Sequence, residues 1–518
     1  MIVEGAEHTT PLALRTHTLV VGSGSGGAVV AAILAEAGVE LVVLEEGGRF
    51  EAKDFTQRDD EMYPALYRDG GQQTTSDGLV NVLQGSVLGG STVVNTADCT
   101  PIPPAVYAHW RRLLGLTALD EDALAPSEQR VFASLKVNPI TPSQVNANNA
   151  KLLEGAHKLG LEAGTFLHNR VGCVGSGYCL VGCAYDAKLG AHLTYLPRAV
   201  AAGAAVYTDT RVERIALRDP ARADGGFVVT GAIVERGSRV ARLPLRIEAA
   251  RVVLAAGAVH SPAILAASGF AAKLPQIGRN LSLQPQMPVT AVFRDRGAIV
   301  AWRGIPQSAY CSEFDDGTAE HGLGGYRLEG ISGGMSQLGV LLPGFGDAHK
   351  QAMFRIDRTA LSLLLVPDRP SGSIAFEPVP PRGFRVHIDY VLQREWQERL
   401  RRGLRTAAEI YFAAGAEQVG FASEIFPPLR SPNELDRLEG FPIRTGVTRL
   451  VSAHVQGSCR MSLDARTGVV DQDHRVHGVP GLYVVDASVM PTTAATHTMI
   501  PVMTLADRAA QRMLEADA

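Results

Sequence analysis

Apolar and polar positions along this chain fall into blocks that predict an α/β protein. "HTLVVGSGSGGAVVAAILAEAGVELVVLEEGG" opens with an apolar run around Thr18 to Val21, the pattern of a strand buried on both faces. A glycine turn follows, then an alanine-rich helix over 26–37, slim enough to pack closely on a sheet. "VELVVLEEGG" predicts a second buried strand that ends in acids. "ARVVLAAGA" (250–258) and "GLYVVDAS" (481–488) are short apolar runs closing on small residues, and predict returning strands of the same sheet. Between about 285 and 450 the pattern changes. "LSLLLVPDRPSG", "GSIAFEPV" and "FRVHIDYVL" predict antiparallel strands, and "REWQERLRRGLRTAAEIYFAAGA" a charged helix. The fold class expected is α/β: a Rossmann-like dinucleotide-binding domain with a second, substrate domain of antiparallel sheet plus helices. "DPARADGG" (219–226) and "PVPPRG" (378–383) read as surface turns.

A length of 518 residues supports more than one core. The pattern assigns 1–110, 200–284 and 451–518 to a discontinuous dinucleotide-binding domain. Residues 111–199 and 285–450 go to the substrate domain, with a cysteine-rich loop at 172–188. A net charge of -4 leaves no basic footprint, so no nucleic-acid partner is expected. No apolar run reaches the ~20 residues that span a bilayer, and the first residues lack a signal-peptide pattern. A cytoplasmic location is expected. Six cysteines in so long a chain do not make a disulfide framework.

Gly22, Gly24 and Gly27 spell G-x-G-x-x-G between the first strand and its helix. Such glycines permit a tight turn and close backbone approach to a pyrophosphate, and the helix N-terminus favours the phosphates. Glu45, twenty-three residues after Gly22, is placed to accept hydrogen bonds from ribose hydroxyls. Glu46 is the fallback, and strand alternation predicts that the two face opposite ways.

"GSVLGGSTVVNTADCTPIP" (85–103), "GAVHSPAILAASG" (257–269) and the block from "SAHVQGSCRM" to "TTAATHTMIPVMTLA" (452–506) resemble the glucose–methanol–choline oxidoreductase family. They stand in family order and, with the glycine fingerprint, span nearly the whole chain. The resemblance implies FAD as cofactor and, in most members, oxidation of an alcohol. It implies that Gly89, Gly90, Ser91 and Asn95 lie against the flavin and pyrophosphate, Val212 against adenine, and Asp486 and Ala487 near pyrophosphate and flavin. It implies His454 as the active-site base and His497 as the second catalytic position. A histidine near neutral pKa can take the hydroxyl proton, and a second can stabilise the developing alkoxide. A reversal of the two roles stays open. His260, His474 and His477 match nothing catalytic. Gln284 replaces a histidine common in the family. No histidine lies between His17 and His109, so the family's histidyl tether has no candidate and FAD is expected to be non-covalent.

Cys173, Cys179 and Cys183 share one glycine-rich segment, "GCVGSGYCLVGCAYDAK". Three thiolates suit a three-iron cluster better than a closed zinc site. The spacing resembles the catalytic subunit of bacterial FAD-dependent glucose dehydrogenases, which carry such a cluster and pass electrons to a cytochrome partner. The segment also resembles bacterial relatives of cholesterol and long-chain alcohol oxidases, for which no cluster is implied. Iron–sulfur ligands and packing thiols both stay open. The expected reaction is FAD-dependent oxidation of a hydrophobic or bulky alcohol, with oxygen or an electron-transfer protein as acceptor. The alternatives are a sugar dehydrogenase with a 3Fe-4S cluster and a non-redox lyase.

Overall fold

The computed structural model describes residues 1–219, 225–300, 302–315, 324–379 and 383–517. Parts of both expected surface turns, 220–224 and 380–382, lie outside the described residues. The strand Leu12–Val21 pairs in parallel with Leu41–Leu44 on one side and with Ala241–Leu254 on the other. Ala205–Tyr207 extends the first side, and Leu482–Val484 pairs in parallel with the end of Ala241–Leu254. Both expected returning strands therefore belong to the first sheet. Leu41–Leu44 is buried throughout, as its unbroken apolar run requires. An antiparallel meander, Phe227–Val234 and Thr210–Leu217, continues from the long strand.

Helix Ser25–Glu36 packs on this sheet through Ala28, Val29, Ala31 and Ala32, all fully buried. The C-terminal helix Met499–Asp517 joins the same core through Met503, Ala506 and Ala510. Helices Pro104–Leu114 and Glu121–Leu135 also pack here, although the expected boundary at 110 placed most of them on the substrate side. Trp110 is the physical reason. It is fully buried with Val252 and Leu482 of the parallel sheet, and its Nε1–H donates to Thr492 Oγ1 at 2.9 Å. Trp110→Ala should destabilise the FAD-bound protein by about 3–5 kcal/mol, measured by urea unfolding.

The second sheet runs in the order Val80–Val82, Leu450–Ser452, Gln286–Val292, Thr359–Leu365, Arg327–Gly330, Ala309–Cys311 and Ala163–Thr165. Its pairings are antiparallel except that of the first two strands. Helix Arg394–Ala413 covers one face with Trp396, Leu400, Leu404, Ala407 and Tyr411, an apolar stripe at helical spacing. Two expected strands, Ser373–Pro378 and Phe384–Asp389, leave this sheet and form a separate hairpin. Only one residue in each is buried, Ile374 and Ile388, too few to anchor a central strand. No helix among the described residues is long and apolar enough to cross a membrane.

Candidate active site

Two cavities meet where the sheets approach each other. The larger, about 820 Å³, runs along the ends of the parallel strands. Gly22, Gly24, Glu45, Gly90, Ser91, Val212, Asp486 and Ala487 all line it. Gly22 has φ +99°, and a Cβ there would stand 2.2 Å from Ala255 O. A Cβ on Gly27 would stand 1.9 Å from Gly22 O, so Gly27 serves the turn from behind rather than facing the cavity. Glu45 accepts from Ser23 N–H at 2.9 Å, Ser23 Oγ–H at 2.6 Å and Gly47 N–H at 2.8 Å. Ser23 Oγ in turn accepts from Gly89 N–H at 2.9 Å, which ties the fingerprint loop to the Gly89 turn. Burial raises the Glu45 pKa, partly offset by these donors.

Glu46 departs from the expected opposite orientation. The strand ends at Leu44, so alternation no longer governs the two acids, and both line the cavity. Glu46 is paired with Arg68 at 2.5 and 3.0 Å. Burial works against its charge, but Arg68 holds its carboxyl down at about 2. Asp486 caps the turn Ala487–Val489, accepting from Ser488 N–H at 2.8 Å and Gly257 N–H at 2.9 Å. It is a cap and a cavity residue together.

The smaller cavity, about 430 Å³, shares Leu83, Gly85, Ser91, Ala453 and Thr498 with the larger. Its walls include Tyr63, Tyr67, Val94, Ile331, Leu341 and Leu363; its polar end holds Asp98, Gln286, Gln307, His454 and His497. Asn95 also lines it, with its Nδ2 3.0 Å from Met499 Sδ. The His454 and His497 rings are perpendicular, with centroids 5.1 Å apart. Residues from the second sheet surround them. His454 Nδ1 lies 3.2 Å from Gln284 Oε1, and Gln286 Nε2 lies 3.3 Å from the same nitrogen. Both amides approach Nδ1, so Nε2 is the ring nitrogen they leave unengaged. The glutamine that departs from the family pattern thus orients this ring. His497 Nε2 lies 3.1 Å from Glu329 Oε2 and 3.9 Å from Asp98 Oδ2, and its Nδ1 lies 3.5 Å from Thr100 Oγ1.

The two histidines are electrostatically opposite. Burial, with His497 beside it, pushes His454 down to about 3. Burial also opposes charge on His497, but the nearby Glu329 carboxylate outweighs it and holds this imidazole above its ordinary value. For Glu329, burial is likewise overcome by His497, which holds the carboxyl low. Asp98 goes the other way: burial pushes it up to about 6 despite His497 and Arg170. The arrangement sets an imidazole that burial keeps neutral against one whose cationic form a buried carboxylate favours. Gln286, Gln307, Glu329 and Asp98 were not singled out from sequence, and Gln284 only as a departure from the family pattern. The one local signal was a charged residue inside a short apolar strand, as in "YRLEGIS".

The three clustered cysteines are spread through a loop organised by another side chain. Among the described residues no group of three or more His, Cys, Asp or Glu side chains is placed to hold an ion. Cys179 is buried, and Cys173 and Cys183 are half-buried. Lys188 accounts for the packing of this loop. Its buried Nζ donates to Val93 O at 2.8 Å, Asn95 O at 2.7 Å and Cys179 O at 2.5 Å. It stitches the cysteine loop to the segment carrying Asn95, and burial pushes its pKa down to about 8. The three-iron expectation finds no fitting ligand set here.

The larger cavity does fit FAD. A glycine-lined turn opens onto a helix N-terminus, and a buried carboxylate stands beyond it at the ribose position. Comparison with known proteins agrees. Models for the N- and C-terminal parts of the GMC oxidoreductase family match residues 63–286 and 368–506. An uncharacterized GMC-type oxidoreductase of Mycobacterium tuberculosis is 34% identical over 500 residues, covering 96% of this chain and 75% of that protein. A long-chain-alcohol oxidase of Arabidopsis thaliana is 29% identical over 513 residues, covering 95% and 66%. In fold, a pyridoxine 4-oxidase from Mesorbium loti superposes with a TM-score of 0.71 at 19% identity, covering 96% and 99%. A formate oxidase variant of Aspergillus oryzae gives 0.70 at 16%, covering 98% and 99%. With both halves of the family model matched and a relative this similar along nearly its whole length, the chain belongs to the GMC oxidoreductases and is an FAD-dependent enzyme of that family.

Proposed function

We propose that the protein oxidises an apolar or bulky alcohol to its carbonyl, with His454 as base and His497 as the donor that stabilises the alkoxide. One observation carries this reading: two perpendicular histidines in a cavity with large apolar walls that joins the FAD cavity. Bound FAD supplies the oxidant, taking the carbinol hydrogen as hydride. Glycine turns, Glu45, Ser91, Val212, Asp486 and Ala487 hold it. The Nε2 lone pair of His454 takes the hydroxyl proton. A base held so low by burial needs an acidified alcohol, and cationic His497 provides that by donating to the same oxygen. Glu329 keeps the donor charged, and Gln284 keeps the base in the required tautomer. The apolar walls exclude water and bind the chain of the substrate.

Relatives named as long-chain-alcohol oxidases and as a 5-(hydroxymethyl)furfural oxidase of Methylovorus support both an alcohol substrate and oxygen as acceptor. Mixing the purified yellow enzyme anaerobically with straight-chain alcohols should bleach the flavin. Each methylene added should raise kcat/KM about fourfold until the cavity is full, because burying a methylene stabilises by ~0.8 kcal/mol. A flavin left yellow by every alcohol would sink the proposal and favour a non-redox member. Bleaching by sugars but not by alkanols would favour the sugar reading. On admitting air, one hydrogen peroxide per flavin identifies oxygen as acceptor; slow reoxidation points to a protein carrier.

A further inference from the structure

Thr96 Oγ1 lies 2.8 Å from Asp98 Oδ2 and 2.8 Å from Gln307 Oε1. A hydroxyl has one hydrogen and cannot serve both acceptors. Reversing the Gln307 amide does not help. Its Nε2 donates to Glu329 Oε2 at 2.5 Å, and the reversed amide would set oxygen against that carboxylate. A proton on Asp98 Oδ2 resolves the chain: Asp98 donates to Thr96, and Thr96 donates to Gln307. The burial of Asp98, 3% exposed, pushes its carboxyl up to about 6, which favours the same state in mildly acidic solution. Asp98 Oδ1 is then a carbonyl-like acceptor, buried and without a hydrogen-bond partner among the described residues. A buried acceptor left unpaired is unfavourable. Asp98 lines the smaller cavity beside His497, where the reacting oxygen is held.

We propose that Asp98 is a neutral acid whose Oδ1 accepts a hydrogen bond from a second hydroxyl of the substrate, carried on the carbon next to the carbinol. The preferred substrates are then apolar-chain vicinal diols, whose two oxygens reach His454/His497 and Asp98 together. No Lys or Arg is among the described residues lining this cavity, and its one favoured cation, His497, is already paired with Glu329. A neutral Asp98 does not select an ammonium group either. The inference rests on the alcohol-oxidation reading and narrows its substrate.

The test is anaerobic flavin reduction in mildly acidic buffer with octanol, the vicinal octanediol and the matching amino alcohol. Wild-type kcat/KM for the diol should exceed that for octanol about tenfold, the worth of one good hydrogen bond. Asp98→Asn keeps an acceptor oxygen and a donor to Thr96 and should preserve that ratio. Asp98→Leu should bring it near one. An infrared band of a protonated carboxyl should be present in the wild type and absent from Asp98→Asn. Equal rates for diol and octanol, with octanol bleaching normally, overturn the subsite and leave alcohol oxidation standing. No bleaching by any of the three overturns the alcohol reading itself. Preference for the amino alcohol, or Asp98→Asn behaving as Asp98→Leu, shows a charged Asp98 and overturns its neutral role. Should Asp98→Leu not fold, the wild-type ratio, Asp98→Asn and the infrared band still decide.

Discussion

Replacing His454 by alanine should slow flavin reduction at least ~100-fold while FAD stays bound. The side chain lines the smaller cavity, and its contacts run to Gln284 and Gln286 of the second sheet. Its removal therefore deletes a proton acceptor without touching the turn around Gly22 or the carboxylate of Glu45. Rapid mixing with a good alcohol substrate measures the reductive step directly, and the flavin absorbance of the purified variant reports FAD retention. Because burial already holds His454 unprotonated, the wild-type rate should not fall on mild acidification through protonation of this group. Gln284→Leu should show a smaller loss of the same kind, since it frees the tautomer but leaves the base. A His454→Ala enzyme that reduces its flavin at the wild-type rate removes this residue from the mechanism.

What could be read from the chain and what could not divides along sequence separation. The turn at Gly22, the close contact at Gly27 and the acid at Glu45 are set within one strand–turn–helix–strand unit. Spacing along the chain carries them. The two histidines lie in segments with family-like patterns, so their positions were legible, although their charges were not. Those charges come from burial and from Glu329 on a distant strand, and the rings' other contacts are as remote: Gln307 is 190 positions from His497, and Gln284 is 170 from His454. Only the folded second sheet brings Glu329 and Gln307 under the ring. The cysteine segment stayed open for a related reason. Its spacing counts sulfurs but does not say where they point, and the buried cation that organises the loop, Lys188, looks in sequence like any surface lysine. Likewise, the helix carrying Trp110 follows the first glycine-rich segment closely, yet only its burial against Val252 and Leu482 shows which sheet it serves.

Glu329→Gln should slow flavin reduction about 100-fold at neutral pH, comparable to losing one oriented donor at a developing oxyanion. The substitution keeps shape and removes charge. In the wild type, burial of His497 opposes its cationic form, and Glu329 overcomes that opposition. A raised pKa means the proton is held past the ordinary histidine range, and the donor is lost as pH rises through the raised value. Without the Glu329 charge, burial prevails and His497 loses its proton at lower pH. The alkaline limb of the rate profile should therefore move to lower pH, and acidification should recover part of the lost rate. A merely structural role would slow the enzyme equally at every pH. His497→Asn removes the group on which Glu329 acts, so adding Glu329→Gln to it should cost little more. An unmoved alkaline limb, or fully additive losses in the double variant, would show that Glu329 acts apart from His497. The expected coupling instead makes the buried carboxylate the reason a histidine in an apolar cavity stays charged enough to acidify an alcohol for so weak a base.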